Sequence, residues 1–266
     1  MAIKRNNIRD IQKKKGGDKI TCLTAYSAPV AKILDRYTDI LLVGDSLGMV
    51  VYGMKSTLEV TTTMMCNHGK AVVRASEKAL IVVDMPFGTY QETKEKAFRN
   101  AARIMKETGC AAVKFEGGVE MKETIKFLVE RGIAVMAHIG LQPQSVNASG
   151  GYRFYGKNDA EKERIISDAI AVEQAGAFAV VLEGVVQNVA DEVTKLLTIP
   201  TIGIGASVNC DGQVLVTDDM VGMFADDTPK FVKRYGDIAN EIEKSAKKFV
   251  ADVKDGSFPE DKHCVK

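Results

Sequence analysis

Four acidic residues occupy equivalent places along this chain of 266 residues. Asp45, Asp84, Glu116 and Glu183 each follow a short apolar run: 40–43, 80–83, 111–113 (through Lys114 and Phe115) and 179–182. Runs of this length, ended by a charged or turn-forming residue, read as strands buried on both faces. In a parallel barrel the carboxyl ends of the strands share one mouth, where catalytic side chains collect. Asp45, Asp84 and Glu116 would come from the second, third and fourth strands, which are neighbours. Three carboxylates brought together repel unless a cation sits between them. Hard oxygen donors without a cysteine or histidine cluster favour Mg²⁺, which takes one or two direct carboxylates and completes its shell with water. Taken singly, each acid could as well cap a helix or pair with a surface base. Their repetition at equivalent strand ends favours a site.

Lys114 lies two positions before Glu116, so the two share a face of their strand. A lysine inside a barrel mouth needs a partner, and the carboxylate of an anionic substrate is the natural one. A Schiff-base role is the competing reading, ranked lower because nothing in the sequence depresses the lysine pKa. Ser46 could donate to the same anion or serve as a plain turn or capping serine. Glu183, round the barrel from the other acids, is a candidate general base, with a structural salt bridge as its alternative. His138 ends the fifth apolar run and takes a secondary role. His68 and His263 read as structural or solvated.

Lys and Arg number 36 against 35 Asp and Glu, a formal net charge of +1. Such balance provides no field for nucleic acid or an anionic membrane, so any anion site must be local. The basic, polar residues 1–10 do not resemble a secretory signal, and no apolar run approaches the ~20 residues that span a bilayer. Five cysteines, none spaced as a metal knuckle, read as reduced thiols, with Cys22 and Cys110 as core filler. A cytoplasmic enzyme is the expectation.

The elements that must position these residues follow from the same pattern. Strands are expected over 20–26, 40–43, 80–84, 111–116, 134–140, 179–183, 201–206 and 213–216. Helices are expected between most of them, including 64–78, 93–107 (with Gly109 as its cap), 119–130, 159–175 and 187–197. Ser27 is placed to cap the helix that begins near Pro29. A short amphipathic helix is expected within 1–18, with Lys13–Lys15 as a solvated face, and a helical tail over 229–253. Strands separated by helices pair in parallel, and eight of them fit a (β/α)₈ barrel of the TIM type, a single domain over 1–266. The first strand lacks the glycine pattern of a dinucleotide fold. Gly203-Ile204-Gly205 lacks its third glycine and is no fingerprint. The loop 141–158 is the least regular stretch.

A divalent cation with a lysine can hold a 2-oxo acid while a base removes the adjacent proton. No Walker loop or nucleophile–histidine pairing competes for the site. The residues therefore read as metal-assisted enolisation of a small oxo acid, followed by making or breaking a carbon–carbon bond. Several stretches also resemble the ketopantoate hydroxymethyltransferase family over about 8–260: Val43-Gly44-Asp45-Ser46-Leu47-Gly48-Met49, Asp84-Met85-Pro86-Phe87 and Val113-Lys114-Phe115-Glu116-Gly117-Gly118. Others are His138-Ile139-Gly140-Leu141-Gln142-Pro143-Gln144-Ser145-Val146-Asn147, Gly150-Gly151-Tyr152, Gly203-Ile204-Gly205-Ala206 and Asp211-Gly212-Gln213. The resemblance implies Mg²⁺ on Asp45, Asp84 and Glu116; 3-methyl-2-oxobutanoate against Asp45, Ser46, Asp84 and Lys114; and Glu183 as proton acceptor. It further implies a one-carbon unit from 5,10-methylenetetrahydrofolate, 2-dehydropantoate as product on the route to pantothenate, and a homodecamer of stacked pentameric rings. Ser207, Met54-Lys55 and Phe154-Tyr155 depart from the family pattern, none of them at an implied ligand or base. The rival classes are an oxo-acid barrel of the isocitrate lyase and phosphoenolpyruvate mutase type, whose Lys-Cys-Gly-His loop is not found here, and a non-catalytic barrel.

Overall fold

The computed structural model describes residues 4–224 and 229–265, which gather into two compact units divided after Leu215. In the first unit eight strands close into one barrel: β1 (Ile20–Thr24), β2 (Ile40–Val43), β3 (Leu80–Asp84), β4 (Ala112–Glu116), β5 (Val135–Gly140), β6 (Ala179–Glu183), β7 (Thr201–Ile204) and β8 (Gly212–Leu215). Every neighbouring pair is parallel, and β8 returns to β1. Before the barrel stands α1 (Ile8–Gln12). Between strands run α2 (Ala28–Leu34), α3 (Leu47–Val50), α4 (Thr62–Ala75), α5 (Lys94–Thr108), α6 (Lys122–Val129), α7 (Val146–Ser149), α8 (Asp159–Gln174) and α9 (Gln187–Leu196). The expected (β/α)₈ architecture is the one observed, except that β7 passes to β8 through a loop without a helix. Among the described residues no helix is long and apolar enough to cross a membrane.

Alternation along the strands sorts their side chains into two apolar layers. Ile40, Leu42, Leu80, Val82, Ala112 and Val181 belong to the cluster that fills the barrel. Leu41, Val43, Ile81, Val83, Val113 and Leu182 join the larger cluster that packs the sheet against the helices. The inward parity carries on to the strand ends. It runs from Leu80 and Val82 to Asp84, from Ala112 to Lys114 and Glu116, from Met136 to His138, and from Val181 to Glu183. Register then makes neighbours of Asp84 and Lys114, of Glu116 and His138, and of Gly140 and Glu183. Burial of apolar side chains on both faces of the sheet thus delivers the polar ones to a common rim.

The ends of the helices mostly follow the expected signals. Thr93 caps α5 through a bond from Lys96 N–H, and Gly109 ends it in the left-handed conformation (φ 77°). Ser27 stands at the N-cap of α2 without a capping bond from its side chain. The N-terminal helix is only five residues long, fixed by a capping box between Asn7 and Asp10. Two lysines expected on a solvated face are instead half-buried struts: Lys14 Nζ lies 2.6 Å from Asp39 Oδ1 and Lys15 Nζ 2.9 Å from Asp211 Oδ2. Pairing partners far along the chain were invisible to a local pattern. Cys22, Cys66, Cys110 and Cys210 are buried free thiols. Burial raises the Cys110 pKa to about 11 and pushes the Cys22 thiol up further, as befits core filler.

Asp211 lies at the amino end of β8, opposite the rim that carries the strand-end acids. Its carboxylate accepts from Thr201 N–H (2.8 Å), Thr201 Oγ1 (3.0 Å), Gly16 N–H (3.0 Å) and Lys15 (2.9 Å). Burial alone would raise its pKa, but the Lys15 ammonium and the two N–H donors hold it below the usual carboxylate value. A depressed folded pKa adds stability above the unfolded value, and that contribution disappears as pH falls through the folded pKa. Asp211→Asn is therefore expected to cost about 2–3 kcal/mol at neutral pH and progressively less below about pH 4. Urea melts of both proteins from pH 7 to pH 3 check this, and a pH-independent difference would contradict it.

In the second unit the described residues include α10 (Thr217–Met220), α11 (Ile238–Asp255) and a 3₁₀ turn over Asp261–His263. The tail helix was expected from 229, but it begins at Ile238. Tyr235 N–H is spent on Met220 O (2.7 Å) and Ile238 N–H on Val221 O (3.0 Å), so the preceding backbone cannot join a helical ladder. Gly256 ends α11 with φ 80°.

Candidate active site

The strand ends of β2 to β6 bring the expected residues together. Asp84 stands at the junction. Its Oδ1 lies 2.8 Å from Lys114 Nζ and its Oδ2 accepts Asp45 N–H at 3.1 Å. Asp84, Lys114, Asp45 and Glu116 are all 6 % exposed or less. Asp45 Oδ2 accepts from Gln144 Nε2 at 2.8 Å, while both carboxylate oxygens of Glu116 face Gln144 N–H at 3.1 and 3.3 Å. Ser46 Oγ is 2.8 Å from Tyr26 OH. Gly44 makes room for this corner: a Cβ there would stand 2.8 Å from Ser46 Oγ. His68 on α4 is pinned, with Nδ1 2.5 Å from Tyr26 O and Nε2 3.0 Å from Tyr52 OH.

His138 lies between two carboxylates, its Nε2 3.2 Å from Glu183 Oε2 and its Nδ1 3.9 Å from Glu116 Oε1. Neither ring nitrogen has a well-aligned hydrogen-bond partner, so the contact with Glu183 is close but poorly directed. Glu183 is the most open of the four acids, its side chain 19 % exposed. Gly140, opposite Glu183 in register, has φ 91°, and a Cβ there would meet Glu183 O at 2.4 Å. Only glycine lets β5 turn away so close to Glu183.

The electrostatics follow from burial and charge count. Burial first, then the neighbouring Asp84, pushes the Asp45 pKa up to about 7, with Lys114 and Gln144 opposing. Glu116 is raised well above the usual carboxylate value by burial and then by Asp45. Burial would lower the Lys114 pKa, but Asp84 and Asp45 outweigh it and hold the ammonium above its usual value. A lysine paired with a carboxylate and held charged favours an ion-pair role over that of a Schiff-base nucleophile. Its partner in this structure is Asp84, whereas the sequence pointed to the substrate's carboxylate.

Can this set hold a divalent cation? Among the described residues, no three His, Cys, Asp or Glu side chains form a ready metal cup. Lys114 and Gln144 take up oxygens of Asp84, Asp45 and Glu116 instead. The donors nevertheless fit Mg²⁺: they are carboxylate oxygens, two of the carboxyls raised by burial and then by a neighbouring carboxylate, and Mg²⁺ needs only one or two of them directly. Sequence reasoning missed Gln144, Tyr90 and Tyr26 as parts of this corner. Gln144 lay inside a recognised stretch, but no periodicity shows which residue of an irregular loop turns inward.

A family model described as ketopantoate hydroxymethyltransferase matches residues 5–261. The 3-methyl-2-oxobutanoate hydroxymethyltransferase of Paramagnetospirillum magneticum is 61 % identical over 262 residues, covering 98 % of this chain and 96 % of that protein. The proteins of the same name from Rhodospirillum rubrum and Agrobacterium fabrum are 55 % and 56 % identical, covering 98 % of this chain and 95 % and 93 % of theirs. Among solved structures, a phosphoenolpyruvate phosphomutase from Streptomyces platensis subsp. rosaceus superposes with a TM-score of 0.63 at 13 % identity, over 98 % of this chain and 92 % of that one. Phosphonopyruvate hydrolase does so with 0.62 at 12 %, with the same coverage. At such identities the likeness is one of fold alone. The match along almost the whole length, with relatives above half identity, makes this chain a hydroxymethyltransferase that belongs to the ketopantoate hydroxymethyltransferase family.

Proposed function

We propose that the protein transfers a one-carbon unit from 5,10-methylenetetrahydrofolate to 3-methyl-2-oxobutanoate, giving 2-dehydropantoate for pantothenate synthesis. The observation that carries this reading is the buried Asp84–Lys114 pair set among further carboxylates, with Glu183 across the rim beside His138. Asp45, Asp84 and Glu116 would hold Mg²⁺, which when bound polarises the substrate's 2-oxo oxygen. Lys114 and Ser46 bind the substrate's carboxylate, and Lys114 keeps its proton because Asp84 and Asp45 face it. Glu183 takes the proton from C3, leaving that electron pair to form the new bond to the methylene carbon of the folate. Both carbon–nitrogen bonds of the methylene bridge break: water's hydroxyl ends on the transferred carbon, and the two folate nitrogens take the proton removed from C3 and the one left by water, so that tetrahydrofolate leaves. The reaction is expected to run in the cytoplasm.

The test is product analysis. Purified protein with Mg²⁺, 3-methyl-2-oxobutanoate and 5,10-methylenetetrahydrofolate should form 2-dehydropantoate detectable by mass spectrometry, and removal of divalent cations should stop it. Cleavage of the oxo acid, or no hydroxymethylated product from folded, metal-supplemented protein, would overturn the assignment. Cation binding should also appear without substrate. A ligand at 100 times its Kd stabilises the folded state by about 2.7 kcal/mol, so saturating Mg²⁺ should raise the Tm by several degrees. No Mg²⁺-dependent shift in Tm would count against the metal.

A further inference from the structure

We infer that Gln144 is a positioning residue of this site, holding the Asp45 and Glu116 carboxylates in the orientation they present to the cation and the oxo acid. The inference rests on the reading proposed above and adds a residue to it.

Gln144 arrives from the irregular loop after β5, in a short turn over Pro143–Ser145, and is only 4 % exposed. Burying a carboxamide is costly unless its donors and acceptors are all used. Here they are all used, and on the walls of the site. Nε2 donates to Asp45 Oδ2 (2.8 Å) and Met85 O (3.0 Å); Oε1 accepts from Tyr90 OH (2.7 Å) and Gln91 Nε2 (3.3 Å). The backbone N–H of the same residue faces the Glu116 carboxylate. One loop residue therefore joins the turn after β2, the residue after β3 and the end of β4.

The direction of these bonds is determined. Rotating the carboxamide by half a turn would set Oε1 against two acceptors, Asp45 Oδ2 and Met85 O, so only one orientation is satisfied. Tyr90 locks it. Tyr90 is 1 % exposed; its hydroxyl accepts Glu116 N–H (3.2 Å) and gives its own proton to Gln144 Oε1. A chain of bonds thus runs from the Glu116 backbone through Tyr90 and Gln144 to the Asp45 carboxylate. Asp45 and Glu116 repel each other across a buried site, and Gln144 is the residue that donates to both. Without it each carboxylate is free to turn toward Lys114, away from the place where a cation would meet them together.

The experiment compares wild type, Gln144→Met, Tyr90→Phe and the double variant by calorimetric titration with Mg²⁺ and with 3-methyl-2-oxobutanoate, alongside thermal melts. Gln144→Met keeps the length of the side chain and removes its carboxamide bonds, Asp45 among them, while the backbone N–H stays on Glu116. It should weaken Mg²⁺ binding by ~10–100-fold, the range for residues that orient metal ligands. Tyr90→Phe, which removes the hydroxyl's bonds to Gln144 Oε1 and to Glu116 N–H, should weaken it by about 2- to 10-fold. Added to Gln144→Met, Tyr90→Phe should change Mg²⁺ affinity less than it does alone, because its bond to the carboxamide is already gone and only the one from Glu116 N–H remains to lose. A residue that merely supports the loop would lower the melting temperature and leave Mg²⁺ affinity untouched. Unchanged Mg²⁺ affinity in folded Gln144→Met, or fully multiplicative effects in the double variant, overturns the inference. If Gln144→Met fails to fold, Gln144→Asn, which withdraws the donor by one methylene, carries the same expectation together with Tyr90→Phe. Wild type that binds no Mg²⁺ would defeat the metal reading. Gln144 is then judged on oxo-acid affinity, where less than a twofold change overturns it.

Discussion

Lys114→Met is expected to eliminate measurable turnover and to destabilise the barrel by about 3–5 kcal/mol, the cost of stripping one partner from a buried ion pair. Among the described residues, Lys114 is the one lysine or arginine paired with any of the four strand-end acids, through Asp84 at 2.8 Å. Both side chains are nearly inaccessible, 8 % and 3 % exposed, so water cannot replace the lost ammonium. Methionine fills a comparable volume, which limits the cavity contribution and leaves the unpaired carboxylate as the main cost. Lys114→Arg should not restore activity. A planar fork cannot stand where a compact ammonium sits on Asp84 and still leave room for the substrate's carboxylate. Mg²⁺ should recover part of the stability of Lys114→Met, because a cation on the same oxygens offsets the same excess charge, but it should not recover turnover. Urea denaturation with and without Mg²⁺, together with product assays, reads both effects. A variant within 1 kcal/mol of wild type and within tenfold of its activity would show that the pair matters to neither.

The barrel and the positions of its acids were legible because both depend on local pattern. An apolar run such as 80–83 must be buried on two faces, and the residue that ends it leaves the core at the rim. Asp84, Glu116 and Glu183 could be placed by counting in twos from the apolar residues before them. The pairing of Lys114 with Glu116 on one face followed from the same count. What escaped was everything decided by distance in space. Gln144 reaches partners on three elements, one of them 99 positions away, and nothing in its own neighbourhood marks it out. Lys14 and Lys15 looked like solvent-facing charge until Asp39 and Asp211 were found beside them. The partner of Lys114 was sought outside the protein, although register places Asp84 directly beside it. Strand order makes that neighbour foreseeable, but side-chain reach does not follow from order alone. The start of α11 was misread for a related reason, since the backbone before Ile238 bonds to Met220 and Val221 and not along its own helix.

Glu183→Gln is expected to leave oxo-acid affinity within a few-fold of wild type while slowing exchange of the C3 proton with solvent by ~10²–10⁴-fold, the usual contribution of a positioned base. The other acids at the rim are committed. Asp84 is bound to Lys114, and Asp45 and Glu116 accept from Gln144, all at 6 % exposure or less. Among the described residues Glu183 has only the contact with His138 at 3.2 Å, and its side chain is the most accessible of the four acids, which leaves it the one best placed to meet a substrate proton. Glutamine keeps the shape of the residue and can still meet His138 in either tautomer, so the pocket should survive the change. A fall in kcat with little movement in KM is the signature of a group that acts in the transition state and not in binding. Product formation and exchange should fall together, because C3 cannot attack the folate's methylene carbon before its proton has gone. Proton NMR in deuterium oxide, with Mg²⁺ and oxo acid but no folate, isolates this step from the transfer that follows. Exchange at the wild-type rate would remove Glu183 from the role. Slow exchange with equally weakened binding would instead make it a group that grips the substrate, leaving the proton to another acceptor.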